Sequence, residues 1–370
     1  MGQLTKLTVH GYKSIKSLVE LELRPINVLI GANGSGKSNL ISFFRVLDNL
    51  ARENLHLSVA LDGGASSFLY DGPDVTPEIY AELHFQHDTV GYDYATRLTH
   101  TNDNIFIFTE EKVRQQPSDD GNGGDGWHHL KSIGRREAYL DRVKHDEGTG
   151  EPATYISETF KKCVIHQFHN TSAKSRIKQS QPMHDWWWLK SDAANLGPFL
   201  YRLRIDQPRY YQRIVDTLRL IFPFFEDFVL EPRNNMITLE WSEHESDMVF
   251  KAYQASDGTL RAMALVALLL QPTKDLPNLI LLDEPELGLH PRAIDMLSGL
   301  IHRASHYTQI ILATQSPLLL NYFEPDDVIV TERRHRESTY SRLNTSELHG
   351  WLEDYTLGEL WEKNVTGGNP

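Results

Sequence analysis

At 370 residues with 40% hydrophobic side chains, the sequence can bury a substantial core, which excludes a disordered chain. Its 37 basic and 50 acidic side chains leave a net charge of −13, which excludes a surface that is basic all over, though not a local basic groove. The single cysteine, Cys163, permits no intrachain disulfide. The longest apolar run, Ala262–Leu270, is far short of the roughly 20 residues of a membrane span, and the N-terminus lacks a signal-peptide layout, so a cytoplasmic chain with no membrane contact is expected.

In chain order, Leu4–Val9 and Leu18–Leu23 read as strands. A buried strand Ile26–Ile30 then runs into a glycine-rich loop and a helix from Lys37 onward. Alternating apolar residues in Glu78–Phe85, Tyr92–Leu98 and Ile105–Phe108 predict antiparallel strands. Ser118–Gly126, built of Ser, Asp, Gly and Asn, has almost nothing to bury and is expected as a mobile surface loop. A short strand is expected over Cys163–Phe168, helices over Asp192–Leu203 and Pro208–Ile221, and strands over Asp227–Leu230, Met236–Trp241 and Met248–Ala252. No internal repeat and no long heptad run is visible, so a long coiled-coil arm is not expected.

Gly31-Ala32-Asn33-Gly34-Ser35-Gly36-Lys37-Ser38 fits G-x-x-x-x-G-K-[ST], with a strand before it and a helix after it. Glycines let such a loop turn its N–H groups toward phosphate oxygens, and the helix adds the positive end of its dipole. Asn33, Gly34, Ser35, Gly36, Lys37, Ser38 and Asn39 are the candidate nucleotide-binding residues, with Lys37 on the β and γ phosphates of ATP and the Ser38 hydroxyl on Mg²⁺. Leu279–Leu282 is an apolar stretch ending in Asp283 and Glu284, the layout that delivers an aspartate to Mg²⁺ beside a phosphate loop. Asp283 is the second metal candidate. Glu284, next in sequence, is the candidate general base for the attacking water.

Ala255-Ser256-Asp257-Gly258-Thr259 leads into the apolar helix Leu260–Leu270, where Ser256 could be a plain helix cap. With the segments above, however, Ser-Asp-Gly-Thr resembles the divergent signature motif of ABC ATPases of the RecF, SMC and OLD group. Two further stretches carry the same resemblance: Tyr12-Lys13-Ser14-Ile15 followed by Asn27–Gly34, and Glu286–Pro291, which resembles the family's D-loop region. The resemblance implies that Ser256 and Gly258 bind the γ-phosphate held by an opposite subunit. Ile310–Pro317 occupies the place of the family's switch strand, but Gln315 stands where most members have histidine. A glutamine keeps a hydrogen bond to water or phosphate without positive charge, so Gln315 joins Glu284 and Lys37 as a catalytic candidate and slow hydrolysis is expected. The family's Q-loop glutamine has two candidates, Gln167 and Gln86.

Three other signals invite a function. The histidines, among them His128, His129, His166, His169 and His184, show no finger-like metal spacing. Trp186-Trp187-Trp188 could form an exposed stacking platform, but burial against the helical layer is the expectation. Lys161, Lys162, Lys174, Arg176 and Lys178, with Arg135, Arg136 and Arg142, are expected as a solvated charged face.

The expected fold is therefore α/β, an ABC ATPase head with a mixed β N-lobe, a parallel-sheet phosphate-loop core and a helical signature subdomain. Residues 1–370 form one head, divided into an N-lobe (1–110), an insertion (111–190), a helical layer with short strands (191–254), a signature, Walker B and switch lobe (255–350) and a tail (351–370). The resemblance implies an ATP-bridged homodimer or higher homo-oligomer acting with a separate effector protein such as a nuclease, and leaves two readings open: a switch for a DNA-linked process, or a slowly hydrolysing scaffold that restrains its effector without acting on DNA. The stretch after Val328 is too short for an appended nuclease domain.

Overall fold

The computed structural model describes residues 2–117, 126–143, 148–166, 168, 172 and 174–368. Gln167, His169 and most of the glycine-rich loop expected at 118–126 lie outside them. The chain begins with β1 (Gly2–Tyr12), β2 (Ile15–Glu22), β3 (Ile26–Ile30), α1 (Lys37–Ala51), α2 (Leu55–Leu61), β4 (Glu78–His87), β5 (Val90–His100) and β6 (Phe106–Gln115). It continues through β7 (His128–His129), α3 (Gly150–Lys161), β8 (Cys163–His166), β9 (Gln181–Pro182), α4 (Leu196–Asp206) and α5 (Pro208–Ile221). Then come β10 (Phe225–Val229), β11 (Met236–Ile237), β12 (Glu240–Glu243), β13 (Val249–Lys251), α6 (Asp257–Leu270), β14 (Leu279–Asp283) and α7 (Pro291–Ser305). It closes with β15 (Gln309–Ala313), α8 (Pro317–Leu320), β16 (Val328–Arg334), β17 (Glu337–Arg342), α9 (Thr345–Leu352) and α10 (Leu357–Glu362).

Two six-stranded sheets organise these elements. The first, in order β2-β1-β4-β5-β6-β7, is antiparallel. The second runs β17-β16-β3-β15-β14-β8, parallel from β16 to β8 with β17 returning antiparallel at one edge. The central strands of the second sheet are continuously apolar because both faces are covered. Val28, Ile280, Leu282, Ile310 and Leu312 point into a core shared with the helical layer. Their neighbours Leu29, Leu279, Leu281, Ile311 and Ala313 point into a core shared with α1 and the antiparallel sheet. Helix α6 is buried at every residue from Gly258 to Leu270, because α4, α5 and α7 pack around it.

Three sequence expectations change. The helix expected from Asp192 starts at Leu196, because Ala193 takes a positive φ of 53° and Asn195 spends its side chain on the loop before it. Asn195 donates to the Asp185 and Trp188 carbonyls and accepts from the Lys190 N–H. Met236–Trp241 is two strands: β11 pairs with β9, and β12 pairs with β10, although Ile237, Leu239 and Trp241 keep the period-two burial of a single strand. Of the tryptophan run, only Trp186 packs on the helical layer, stacking on Tyr201, while Trp187 and Trp188 are 65% and 70% exposed. No helix among the described residues is long and apolar enough to cross a membrane.

Candidate functional site

The fully buried strand β3 ends in a loop that only glycine can make. Gly31, Gly34 and Gly36 take φ of 149°, 76° and 121°. A Cβ on Gly31 would sit 2.2 Å from the Thr331 carbonyl, and one on Gly36 would sit 2.2 Å from Ser338 Oγ. The hairpin β16–β17 braces the loop from behind. Ser338 Oγ donates to the Ser35 carbonyl at 2.5 Å and contacts Ser14 Oγ at 2.7 Å, while the Tyr340 hydroxyl donates to the Gly36 carbonyl at 2.9 Å. Asn39 Nδ2 donates to Ser14 Oγ at 2.6 Å, joining the first turn of α1 to the same brace. Every outward carbonyl so tied fixes the opposite side of its peptide, where the N–H groups point.

Lys37, 6% exposed, folds back over this loop and donates to the Gly31 and Ala32 carbonyls. Burial pulls its pKa down, and the carboxylates of Glu284, Asp283 and Glu286 oppose that shift. All three carboxylates therefore share an electrostatic centre with the phosphate loop. Ser38, on the following position, is exposed.

Strand β14 delivers Asp283 at its last residue, paired with Ala313 of β15. Glu284 then takes a positive φ of 44° while its N–H holds the Ala313 carbonyl at 2.8 Å. That left-handed step costs a non-glycine residue about 1 kcal/mol or more, and such strain clusters where a side chain must be aimed. The Glu284 carboxylate accepts from Gln315 Nε2 at 2.5 Å, and the same amide donates to Asn33 Oδ1 at 2.8 Å. Gln315 thus bridges the carboxylate beside β14 to the phosphate loop.

Glu286, 8% exposed, stands in the sequence reading only as the start of the D-loop-like stretch, with no role of its own. One oxygen accepts from Thr314 Oγ1 at 2.5 Å and from the Gln315 N–H at 3.3 Å; the other is buried with no partner among the described residues. Burial raises its pKa, and the Thr314 bond works against the rise. Its signal was a third carboxylate two places after Glu284. Ser338 and Tyr340 had no such signal, because only the pairing of β17 brings them to the loop.

Ser256 caps α6, accepting from the Thr259 N–H at 3.1 Å. Gly258 lies so close to the segment after Glu286 that a Cβ there would meet the Gly288 carbonyl at 2.1 Å. Arg261, one turn on, donates to the Leu287 carbonyl and to the Phe168 carbonyl. Among the described residues, no hydrogen bond joins Ser256 or Gly258 to the phosphate loop of the same chain. Gln86 lies on β4 opposite Gln3, with its amide on the Asp88 carbonyl, so it is not among the residues brought together here.

The donor set fits a nucleotide triphosphate on two counts besides the glycine geometry. Ser35 Oγ is buried without a partner among the described residues, and the Lys37 ammonium is held there only by loop carbonyls. A magnesium ion suits the oxygen donors of Ser38 and Asp283.

The fold is shared with solved SMC heads. An Smc head bound to the C-winged helix domain of ScpA aligns over 94% of this chain and 99% of its own, at 15% identity and a TM-score of 0.60. An Smc head with an extended coiled coil, bound to the C-terminal domain of ScpA derived from Pyrococcus furiosus, aligns over 96% and 99% at 14% identity and a TM-score of 0.59. No curated protein matches the sequence. The chain thus has the fold of an SMC head domain. A family model matches residues 26–123 and 167–321, more than half of the chain and both halves of the site, so the protein belongs to the family described as "AAA domain, putative AbiEii toxin, Type IV TA system".

Proposed function

We propose that this protein is an ATP-driven switch: two copies meet head to tail, each lending Ser256 and Gly258 to the nucleotide held by the other. The observation that carries this reading is the division of the motifs. Lys37, Glu284 and Gln315 converge around Asn33, whereas the Ser256–Gly258 turn packs on Gly288 and has no bond to its own phosphate loop among the described residues. In this reading Lys37 holds the β and γ phosphates and Glu284 draws the proton from the attacking water. Gln315 orients that water, and Ser38 with Asp283 would hold Mg²⁺, which supplies charge neutralisation at the phosphates. ATP bridging favours the paired state by its differential affinity, and hydrolysis releases it.

The pair is proposed to control a DNA-linked process, in repair or antiviral defence, through a separately encoded effector such as a nuclease. Solved heads of this fold were captured with a domain of a separate protein, and the family description reads "putative AbiEii toxin, Type IV TA system". Neutral Gln315 at the switch position supports a second reading, a slowly hydrolysing scaffold that restrains its effector without touching DNA. DNA-stimulated turnover selects the first; stable ATP-dependent oligomers with weak, DNA-independent turnover select the second.

Light scattering of the Glu284→Gln chain with and without ATP and Mg²⁺ tests the pairing. The expected outcome is a doubling of mass, or a higher multiple, that Lys37→Ala and Ser256→Arg both prevent. Unchanged mass despite bound ATP overturns the assignment of Ser256 across an interface.

A further inference from the structure

The signals that looked idle in the sequence meet at one place. A cleft of about 1310 Å³ opens along the free edge of β8, between α1 and α2 on one side and the Trp188–Asp192 strip on the other. Seven Arg and Lys side chains line it against four Asp, on a chain whose net charge is −13. Arg52 and Arg176 are paired with Asp48 and Asp192, but Lys162 and Lys274 are exposed and form no ion pair among the described residues. Trp188, 70% exposed, stands at this cleft with its ring uncommitted to the core.

The wall also carries a group that calls for a ligand. His166 is 2% exposed, lines the cleft, and has both ring nitrogens buried without a partner among the described residues. Burial pushes its pKa down to about 3, so the ring is neutral and offers one donor and one acceptor. An orphan pair of this kind costs on the order of 1–3 kcal/mol per group unless something meets it.

We propose that this cleft seats a nucleotide unit, its base stacked on Trp188 and bonded along one edge by His166, its phosphate held by Lys162 and Lys274. Stacking on an aromatic ring combined with a basic track is how single strands are held without regard to sequence, and a neutral donor–acceptor side chain suits a base edge. A peptide is the less favoured occupant, since it has no comparable use for an exposed Trp188 in a cleft lined by seven basic side chains. The proposal deepens the DNA-linked reading but is independent of pairing.

Position gives the site a reason to exist. Helix α1 carries Lys37 at its start and lines the cleft with Arg45, Asp48 and, just past its end, Arg52; Arg45 is eight residues on from Lys37, about 12 Å along the helix. Helix α6 carries Ser256 at its start and lines the cleft with Leu268 near its end. Strand β14 begins at the cleft, after Asn278, and ends at Asp283. Three elements therefore run from one site to the other.

Fluorescence anisotropy in the Lys37→Ala background, where the phosphate loop cannot contribute, tests the assignment with a labelled oligothymidylate of about 12 nucleotides and with unlabelled dTMP as competitor. Trp188→Ala is expected to weaken oligonucleotide binding about tenfold or more. The Lys162→Glu, Lys274→Glu double variant should lower the salt dependence by between one and two phosphate contacts. Both changes are on exposed side chains, so the fold is retained. Competition by dTMP assigns the site to free nucleotides as well as strands; no competition assigns it to strands. Absent binding, or binding unchanged in both variants, overturns the proposal and leaves the ATP-pairing reading intact, as would a protein partner whose binding alone depends on Trp188.

Discussion

Two polar centres in this molecule are each built around a buried carboxylate and finished differently. In the antiparallel sheet, Asp93, 0% exposed, accepts from His84 Nδ1 at 2.7 Å, Arg114 Nε at 2.6 Å and Gln116 Nε2 at 2.6 Å. Burial alone would raise its pKa; the bonds from His84, Gln116 and Arg114 outweigh burial and hold it low. Beside the phosphate loop, by contrast, a Glu286 oxygen and Ser35 Oγ have no partner among the described residues, and Lys37 is held there only by carbonyls. A closed network specifies a fold, while orphaned donors and acceptors leave a centre that a ligand can complete.

The comparison can be broken first at the phosphate centre. Glu284→Gln preserves the bond from Gln315 because an amide oxygen still accepts, so nucleotide binding and melting temperature should stay while kcat falls about a thousandfold. A single-turnover measurement of phosphate release reads this, and a variant that keeps its turnover removes Glu284 from the chemistry. The antiparallel centre should behave in the opposite way. Asp93→Asn is expected to cost about 3 kcal/mol in denaturant unfolding and to leave nucleotide affinity untouched. Lost affinity without lost stability would dissolve the distinction between the two centres.

The smallest expected effect is a pH slope confined to the antiparallel sheet. The Asp93 bond holds the His84 pKa above its ordinary value against the pull of burial. Its contribution is therefore complete below about 6.5 and lost as pH rises through the folded value. Asp93, held low, contributes above about 3.9 and fails only in stronger acid. Glu111, buried beneath Tyr94, is pushed up to about 7, so it also favours the folded state in acid and withdraws that support as pH climbs to neutrality. Melting temperature should thus be higher at pH 5.5 than at pH 8, and Glu111→Gln should flatten the slope, by about 1–3 kcal/mol in unfolding free energy. A slope untouched by that variant would assign the pH dependence to other groups.

What was legible in the sequence was contiguous. Eight residues spell the phosphate loop, and Leu279–Glu284 spell a strand that ends in two carboxylates, because each is a local solution to a local problem. The sheet alternations and α6 were legible for the same reason, as periodicity reports burial wherever one element faces one core. Ser338 and Tyr340 were not, since nothing near them in the chain needs them; they matter because β17 pairs with β16 beside β3. The tryptophan run misled because aromatic content predicts burial on average, and Asn195 instead anchors the loop that turns Trp187 and Trp188 outward. Met236–Trp241 misled because alternation records which side chains are covered, not which strand lies alongside.

The Gly258–Gly288 contact has a further consequence. With no room on Gly258 for a single added carbon and Gly288 held at a φ of 78°, the turn that would face a neighbouring chain and the loop that follows the acidic strand are in gear without play. A displacement of one cannot be absorbed by side-chain rearrangement before it reaches the other, because no side chains lie between them. Timing between neighbouring sites would then be set by backbone alone, and any substitution at these two glycines should desynchronise the sites before it empties either of them.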